Sequence, residues 1–196
     1  MNEPIEPRVH TAAAMRDLVT QRLRLRRLGP ADLDELAAIF QRREVWEFPH
    51  RRGTTRVETE AFLDQQDALW CEHGFGGCAA RERADGVLLG VIGLSVPTLG
   101  TEPRAPISVG WRMSPASWGK GYATEGAAAL VDEALTTLGY NRIVCITQPE
   151  NVRSVRVAQR LGMRLAETVV VRVAESDATL TAVIYETDAP RWTERR

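Results

Sequence analysis

The sequence predicts a single mixed α/β domain, with a central sheet of about 6–7 strands flanked by about four helices. Three observations carry that reading. Apolar runs at 75–82 and 87–95 are joined by Ala84-Asp85-Gly86, a hairpin signal. A strand at 105–113, ended by Ser114-Pro115, is followed by a long helical pattern and a further strand at 142–147, the order of a right-handed parallel crossover. Two last apolar runs, 165–174 and 180–186, flank Ser176-Asp177 and pair as a second hairpin.

Residues 1–17 read as a flexible extension, 18–190 as the domain and 191–196 as a tail. Residues 18–26 alternate, Leu23 and Leu25 against Arg22, Arg24 and Arg26, which is the period of a half-buried strand. Gly29-Pro30 then punctuates, and Pro30 suits the first turn of a helix whose stripe is Leu33, Leu36, Ala37 and Phe40. A second helix from Arg56 sets Phe62, Leu69 and Trp70 on a comparable face, and the linker at 44–52 is aromatic and acidic. From Lys120, Ala123, Ala127, Leu130, Val131, Ala134, Leu135 and Leu138 keep helical spacing until Gly139 supplies a left-handed stop. A shorter helix from Asn151 shows Val155, Ala158 and Leu161 before Gly162. No internal repeat or second-domain linker interrupts this order.

With 196 residues, 44% hydrophobic and 26% charged, the chain can bury a real core. A net charge of −1 removes the electrostatic warrant for nucleic acid or an anionic membrane surface. No stretch approaches the ~20 apolar residues of a membrane span, so a cytoplasmic protein is expected. Cys71, Cys78 and Cys145 make an odd count without a Cys-x-x-Cys pair and read as reduced core residues. Cys71-x-His73 lacks a second ligand pair, so no metal is expected.

The run Trp118-Gly119-Lys120-Gly121-Tyr122-Ala123-Thr124-Glu125, between a strand and a long helix, reads as a phosphate cradle. Two glycines one residue apart let successive N–H groups turn toward one point, and the helix adds its unpaired first-turn amides and positive dipole end. Lys120 is the one lysine among 25 basic residues. An ordinary glycine turn has the same local sequence, and a nucleotide-phosphate protein would use it too. The latter lacks a Gly-x-x-x-x-Gly-Lys-Ser/Thr run.

Three segments together resemble the GNAT superfamily of acyl-CoA N-acyltransferases. They are Val91-Ile92-Gly93-Leu94; Val109-Gly110-Trp111-Arg112-Met113 with the glycine run; and Pro149-Glu150-Asn151-Val152-Arg153-Ser154 with Leu161-Gly162-Met163. They are similar to the bacterial RimJ/RimL branch, which acetylates ribosomal-protein N-termini and contains small-amine acetyltransferases. The resemblance implies the GNAT fold, a mixed, mostly antiparallel sheet, and acetyl-CoA as acyl donor with no metal. It implies that the diphosphate lies over Trp118, Gly119, Lys120, Gly121, Tyr122, Ala123 and Thr124. The pantetheine arm would enter where the strand carrying Trp111, Arg112 and Met113 splays from the next, pairing with the backbone of Arg112 and Met113. Asn151 and Ser154 would face that arm, Ser154 assisting thiolate departure; the same two residues also read as a plain helix cap. Arg153, Arg156 and Arg160 form a stripe that reads as a solvated face, or as a partner of the adenosine phosphate.

The chain departs from the family pattern. Trp118 stands where the signature has Gln or Arg, Ser108 where many members carry a proton-relaying glutamate, and Ala158 where a tyrosine often protonates the thiolate. Glu125 reads as a first-turn dipole partner rather than a base. In the linker, Glu44 and Glu47 would attract an ammonium group and Trp46 would hold it by cation–π contact, and the same residues read equally as surface decoration. Glu44, Trp46, Phe48 and Ser108 are thus the candidate acceptor residues, and His50 is the nearest imidazole. The expected activity is direct acetyl transfer to a small-molecule amine or a protein N-terminus in a ternary complex, with no nucleic-acid or membrane partner. The alternative is a non-catalytic acetyl-CoA sensor, and a homodimer is the common family assembly.

Overall fold

The computed structural model describes residues 14–48, 51–97, 107–172 and 179–194. Residues 1–13 of the expected extension, His10 and His50, the strand start at 105–106, the Ser176-Asp177 turn and residues 195–196 lie outside them.

Leu23 and Leu25 are wholly buried and Arg24 is exposed, the expected alternation, yet 18–26 is not one strand. The Thr20 N–H donates to the Leu23 carbonyl and the Leu23 N–H to the Thr20 hydroxyl, each at 2.9 Å. That reversal folds β1 (Leu18–Val19) back on β2 (Leu23–Arg27). One turn of 3-10 helix at Pro30–Asp32 leads into α1 (Leu33–Phe40), which buries Leu36, Ile39 and Phe40. Its start is pinned by Asp32, wholly buried, which accepts from Arg26 at 2.5 Å, Arg81 at 2.8 Å and the Gly29 N–H at 3.1 Å. A Thr55–Glu58 capping box opens α2 (Arg56–His73), and Gly74 at φ 72° closes it.

The hairpin forms as β3 (Gly77–Glu82) and β4 (Leu88–Ser95), followed by β5 (Ile107–Met113). Helix α3 (Tyr122–Thr136) ends where Tyr140 N–H returns to the Ala134 carbonyl around Gly139 at φ 74°. Then come β6 (Arg142–Thr147), α4 (Val152–Arg160), β7 (Arg164–Arg172), β8 (Thr179–Asp188) and α5 (Ala189–Glu194). The expected tail is therefore partly helical, and its Trp192 packs into the core.

The eight strands lie in the order β1-β2-β3-β4-β5-β6-β8-β7, antiparallel throughout except for β5 and β6. The count exceeds the expected 6–7 because of the Thr20 turn, and α5 adds a fifth helix. Along β4, Ile92 and Leu94 join one core cluster with Leu130, Val131 and Leu161, while Val91 joins another with Leu36, Phe40 and Leu63. Neighbouring strand residues point to opposite faces, so α3 covers one side of the sheet and α1 with much of α2 the other. Among the described residues, no helix is long and apolar enough to cross a membrane.

The feature that creates a site is the seam between β5 and β6. Only Ile107↔Ile143 and Ser108↔Val144 pair, after which the strands part. Being parallel, they end on the same side, and α3 and α4 both begin there.

Candidate active site

At that open end, Gly119 and Gly121 adopt φ 74° and 83°, backbone that side chains strongly disfavour. Trp118 N–H is used by the Pro115 carbonyl, and the Glu125 N–H by the Gly121 carbonyl. Between them, none of the N–H groups of Gly119 to Thr124 donates to another backbone group among the described residues. The Thr124 hydroxyl is buried and has no partner there either. A Cβ on Gly119 would meet nothing within 4 Å, so the bend is open. These are the properties an oxyanion-rich ligand requires.

The bend is held from two sides. Trp118 Nε1 donates to the Met113 carbonyl at 2.9 Å, tying it to the end of β5. Arg22 donates from Nη1 to the Lys120 carbonyl at 2.9 Å and from Nε to Glu125 at 2.7 Å. Burial would push the Glu125 carboxyl up, but Thr20 Oγ1 at 2.5 Å and the Arg22 N–H at 2.7 Å, with the guanidinium, hold it below the usual carboxylate range. Glu125 is a brace between α3 and the β1–β2 turn, not a base. Arg22 had no signal in the sequence beyond its strand alternation.

Two cavities meet at the seam. The outer one, about 240 Å³, is lined by Glu44, Phe48, Trp111, Arg112, Met113, Trp118, Gly119, Gly121, Ala123, Thr124, Asn151 and Ser154 of the expected residues, and also by Arg153, Arg156 and Arg160. The arginine stripe on α4 therefore faces this cavity as well as solvent. Lys120 and Tyr122 do not line it: Lys120 is exposed, and the Tyr122 side chain is buried with its hydroxyl on Glu82. Of the Arg112 and Met113 backbone expected to pair with the coenzyme arm, the Met113 carbonyl already accepts from Trp118 Nε1. Asn151 Oδ1 accepts the Ser154 N–H at 3.3 Å, so the cap forms, while both residues also line the cavities.

The inner cavity, about 440 Å³, lies on the α1/α2 face and contains Ser108, Phe48, Phe62, Gln66, Val91, Cys145, Thr147 and Gln148. Gly77 and Gly93 line it and pair across β3 and β4, where a Cβ on Gly93 would lie 2.7 Å from the Gly77 Cα. Phe48, Trp111, Arg112, Asn151 and Ser154 line both cavities.

The expectation for Trp46 is corrected. Its ring is buried, lines neither cavity, and lies 3.6 Å from the Arg112 guanidinium, so a side chain of the protein already occupies the face meant for a substrate ammonium. Glu47 bridges to Arg153 at 3.4 Å, and Arg153 stacks 4.0 Å over Trp118, so linker, α4 and glycine bend touch across the cavity mouth. The cysteines also need correction: Cys71 is exposed, not core. Burial pushes the Cys78 and Cys145 thiols up to about 12. Ala158, at the vacant tyrosine position, is wholly buried. Among the described residues no group of three or more His, Cys, Asp or Glu could hold a metal ion.

Comparison with known proteins bears on this geometry. Residues 22–164 match the family model of the acetyltransferase (GNAT) domain. The uncharacterized protein YkkB of Bacillus subtilis is 26% identical over 153 residues, 78% of this chain and 87% of that one. A crystal structure of a Bacillus anthracis acetyltransferase of the GNAT family superposes with a TM-score of 0.74 at 20% identity, covering 88% of this chain and 98% of its own. An acetyltransferase from Agrobacterium tumefaciens str. C58 gives 0.72 at 25% identity, covering 90% and 96%.

Proposed function

Since the chain belongs to the GNAT acetyltransferase family, in its RimJ/RimL-like part, we propose that it moves an acetyl group from acetyl-CoA directly onto a primary amine in a ternary complex. The observation that carries this reading is the set of unpaired N–H groups from Gly119 to Thr124, with the orphaned Thr124 hydroxyl, at the mouth of a gap in the sheet. Those amides, with the dipole end of α3, would hold a diphosphate. The exposed guanidiniums of Arg153, Arg156 and Arg160 add attraction that salt screens. Backbone groups of Val109 to Met113 that face the gap would pair with a peptide-like arm.

Bound acetyl-CoA supplies an activated thioester carbonyl. N–H groups between Gly110 and Met113 polarise that oxygen as the amine forms the C–N bond and the C–S bond breaks; the Ser154 hydroxyl donates to the departing sulfur, and the proton the nitrogen sheds balances the one the thiolate takes up to leave as free thiol. Cys145 lines the inner cavity, yet with its thiol pushed up to about 12 only roughly one molecule in 10⁵ is thiolate at neutral pH, which argues against an acyl-enzyme. Among the described residues of the inner cavity there is no carboxylate or imidazole, and Ser108 cannot take a proton at neutral pH. Either water relays the amine proton to a carboxylate beyond that lining, or the amine enters already neutral. For the α-amine of a peptide roughly a quarter of the molecules are neutral at pH 7.5 and for a lysine side chain about one in a thousand, while the α-amine of a free amino acid, raised by its own carboxylate, lies between the two, so the second route favours α-amines.

Calorimetric titration with acetyl-CoA and with ATP, followed by thiol release over a panel of amines, tests the reading. Binding of acetyl-CoA alone with amine-dependent thiol release is expected. Binding without release from any amine would leave a sensor.

A further inference from the structure

The Arg112 guanidinium is a cation that the fold half-buries without giving it a carboxylate partner among the described residues. Its β5 neighbours on the same face are Ser108 and Gly110, so the side chain points to the α1/α2 side, where the inner cavity lies. There Nη1 donates to the Val45 carbonyl at 3.2 Å and the Phe48 carbonyl at 3.3 Å, and the plane stacks on Trp46. A guanidinium has five N–H groups in a fork matched to a carboxylate. The Nε and Nη2 groups have no acceptor among the described residues. Burial draws the group down to about 10, so it remains cationic at neutral pH.

Uncompensated buried charge is costly, and proteins concentrate it where a ligand completes it. Among the described residues of the inner cavity Arg112 is the only charged one; Phe48, Phe62, Val91, Leu94 and Val171 supply apolar wall. A polyamine or aminoglycoside would meet a like charge there. We propose that the acceptor is a small amino carboxylate with an apolar side chain, its carboxylate gripped by the free edge of Arg112 and its amine directed to the seam. The proposal rests on the acetyltransferase reading and names the acceptor class of that same site.

The test titrates N-acetyl amino acids against the matching N-acetyl amino amides into protein loaded with CoA, for side chains from alanine to phenylalanine. This compares ligands with and without the carboxylate and removes any difference in amine basicity. At least one acid should bind tenfold or more tighter than its amide. Arg112→Met should bring that ratio within twofold of one while acetyl-CoA affinity moves less than threefold, and Arg112→Lys should fall between. Equal binding of every pair, or a preference that survives Arg112→Met, would overturn the proposal. So would a tenfold loss of acetyl-CoA affinity with the ratio unmoved, which would make Arg112 a coenzyme residue. If Arg112→Met does not fold, as judged by its melting curve, Arg112→Lys carries the comparison. Absence of any acetyl-CoA binding sinks the acetyltransferase reading instead, and the same pairs titrated without coenzyme still read the carboxylate preference.

Discussion

The outer and inner cavities are built from different materials. The outer one sets a backbone bend, Gly119 to Thr124, against one face of α4, with the end of β5 and the linker closing it. The inner one gathers residues from α2, from β3 through β8, from α4 and from the α1–α2 linker. Peptide N–H groups can bind a diphosphate whatever the neighbouring side chains are, so a backbone site would tolerate Trp118 where the family signature has Gln or Arg. Discrimination among amines has to come from side chains, and those converge only when the whole sheet is assembled.

Removing the support of the inner region should have the largest effect. Asp32→Asn breaks a buried ion cluster that fixes α1, and with it the linker carrying Phe48, at an expected cost of about 3–5 kcal/mol in denaturant unfolding. Burial pushes the Asp32 carboxyl up, but Arg26, Arg81 and the Gly29 N–H outweigh it and hold the group below its usual value. Its stabilisation is therefore complete above the unfolded-state value near about 4 and fades as pH falls through the lower folded value. The variant should show a flatter acid limb below about pH 4; an acid limb as steep as the parent's would remove Asp32 from the account.

Ser154→Ala comes next. Turnover should fall by about 10²-fold while acetyl-CoA affinity in calorimetry stays within about threefold, the signature of a group acting only in the transition state. Unchanged turnover would leave Ser154 as a cap residue. On the outer side, Gly121→Val forces a branched side chain into φ 83° beside the Arg22 guanidinium, a strain of about 1–3 kcal/mol. Coenzyme affinity should drop by roughly tenfold, with acceptor preference untouched. Smallest is Lys120→Ala: an exposed charge off the cavity wall should change acetyl-CoA affinity by less than about threefold at physiological salt. A larger loss would mean that side-chain charge, not backbone, carries the outer region.

The same contrast governs what the sequence could reveal. Alternating Gly119 and Gly121 before an amphipathic helix is a local signal, because positive φ is a single-residue property. Arg112 and Trp46 are far apart in the chain, and nothing in either neighbourhood says that one covers the other; hence the indole read as an ammonium box. The Thr20 turn was hidden because it uses a hydroxyl instead of Gly, Pro or Asn. Trp192 in a six-residue helix offers no periodicity to read. The parting of β5 from β6 came through family likeness alone, since both strands look like ordinary apolar runs.

That seam also divides the chain. Among the described residues, the strands up to Met113 build the leaf β1 to β5, those from Arg142 build the leaf β6 to β8, and α3 is the spine between them. Two rungs hold the leaves edge to edge. A molecule laying amides into the opening would become a ninth strand and supply the missing rungs; a donor substrate bound so would double as mortar, and amide exchange along β5 and β6 should slow when it is added.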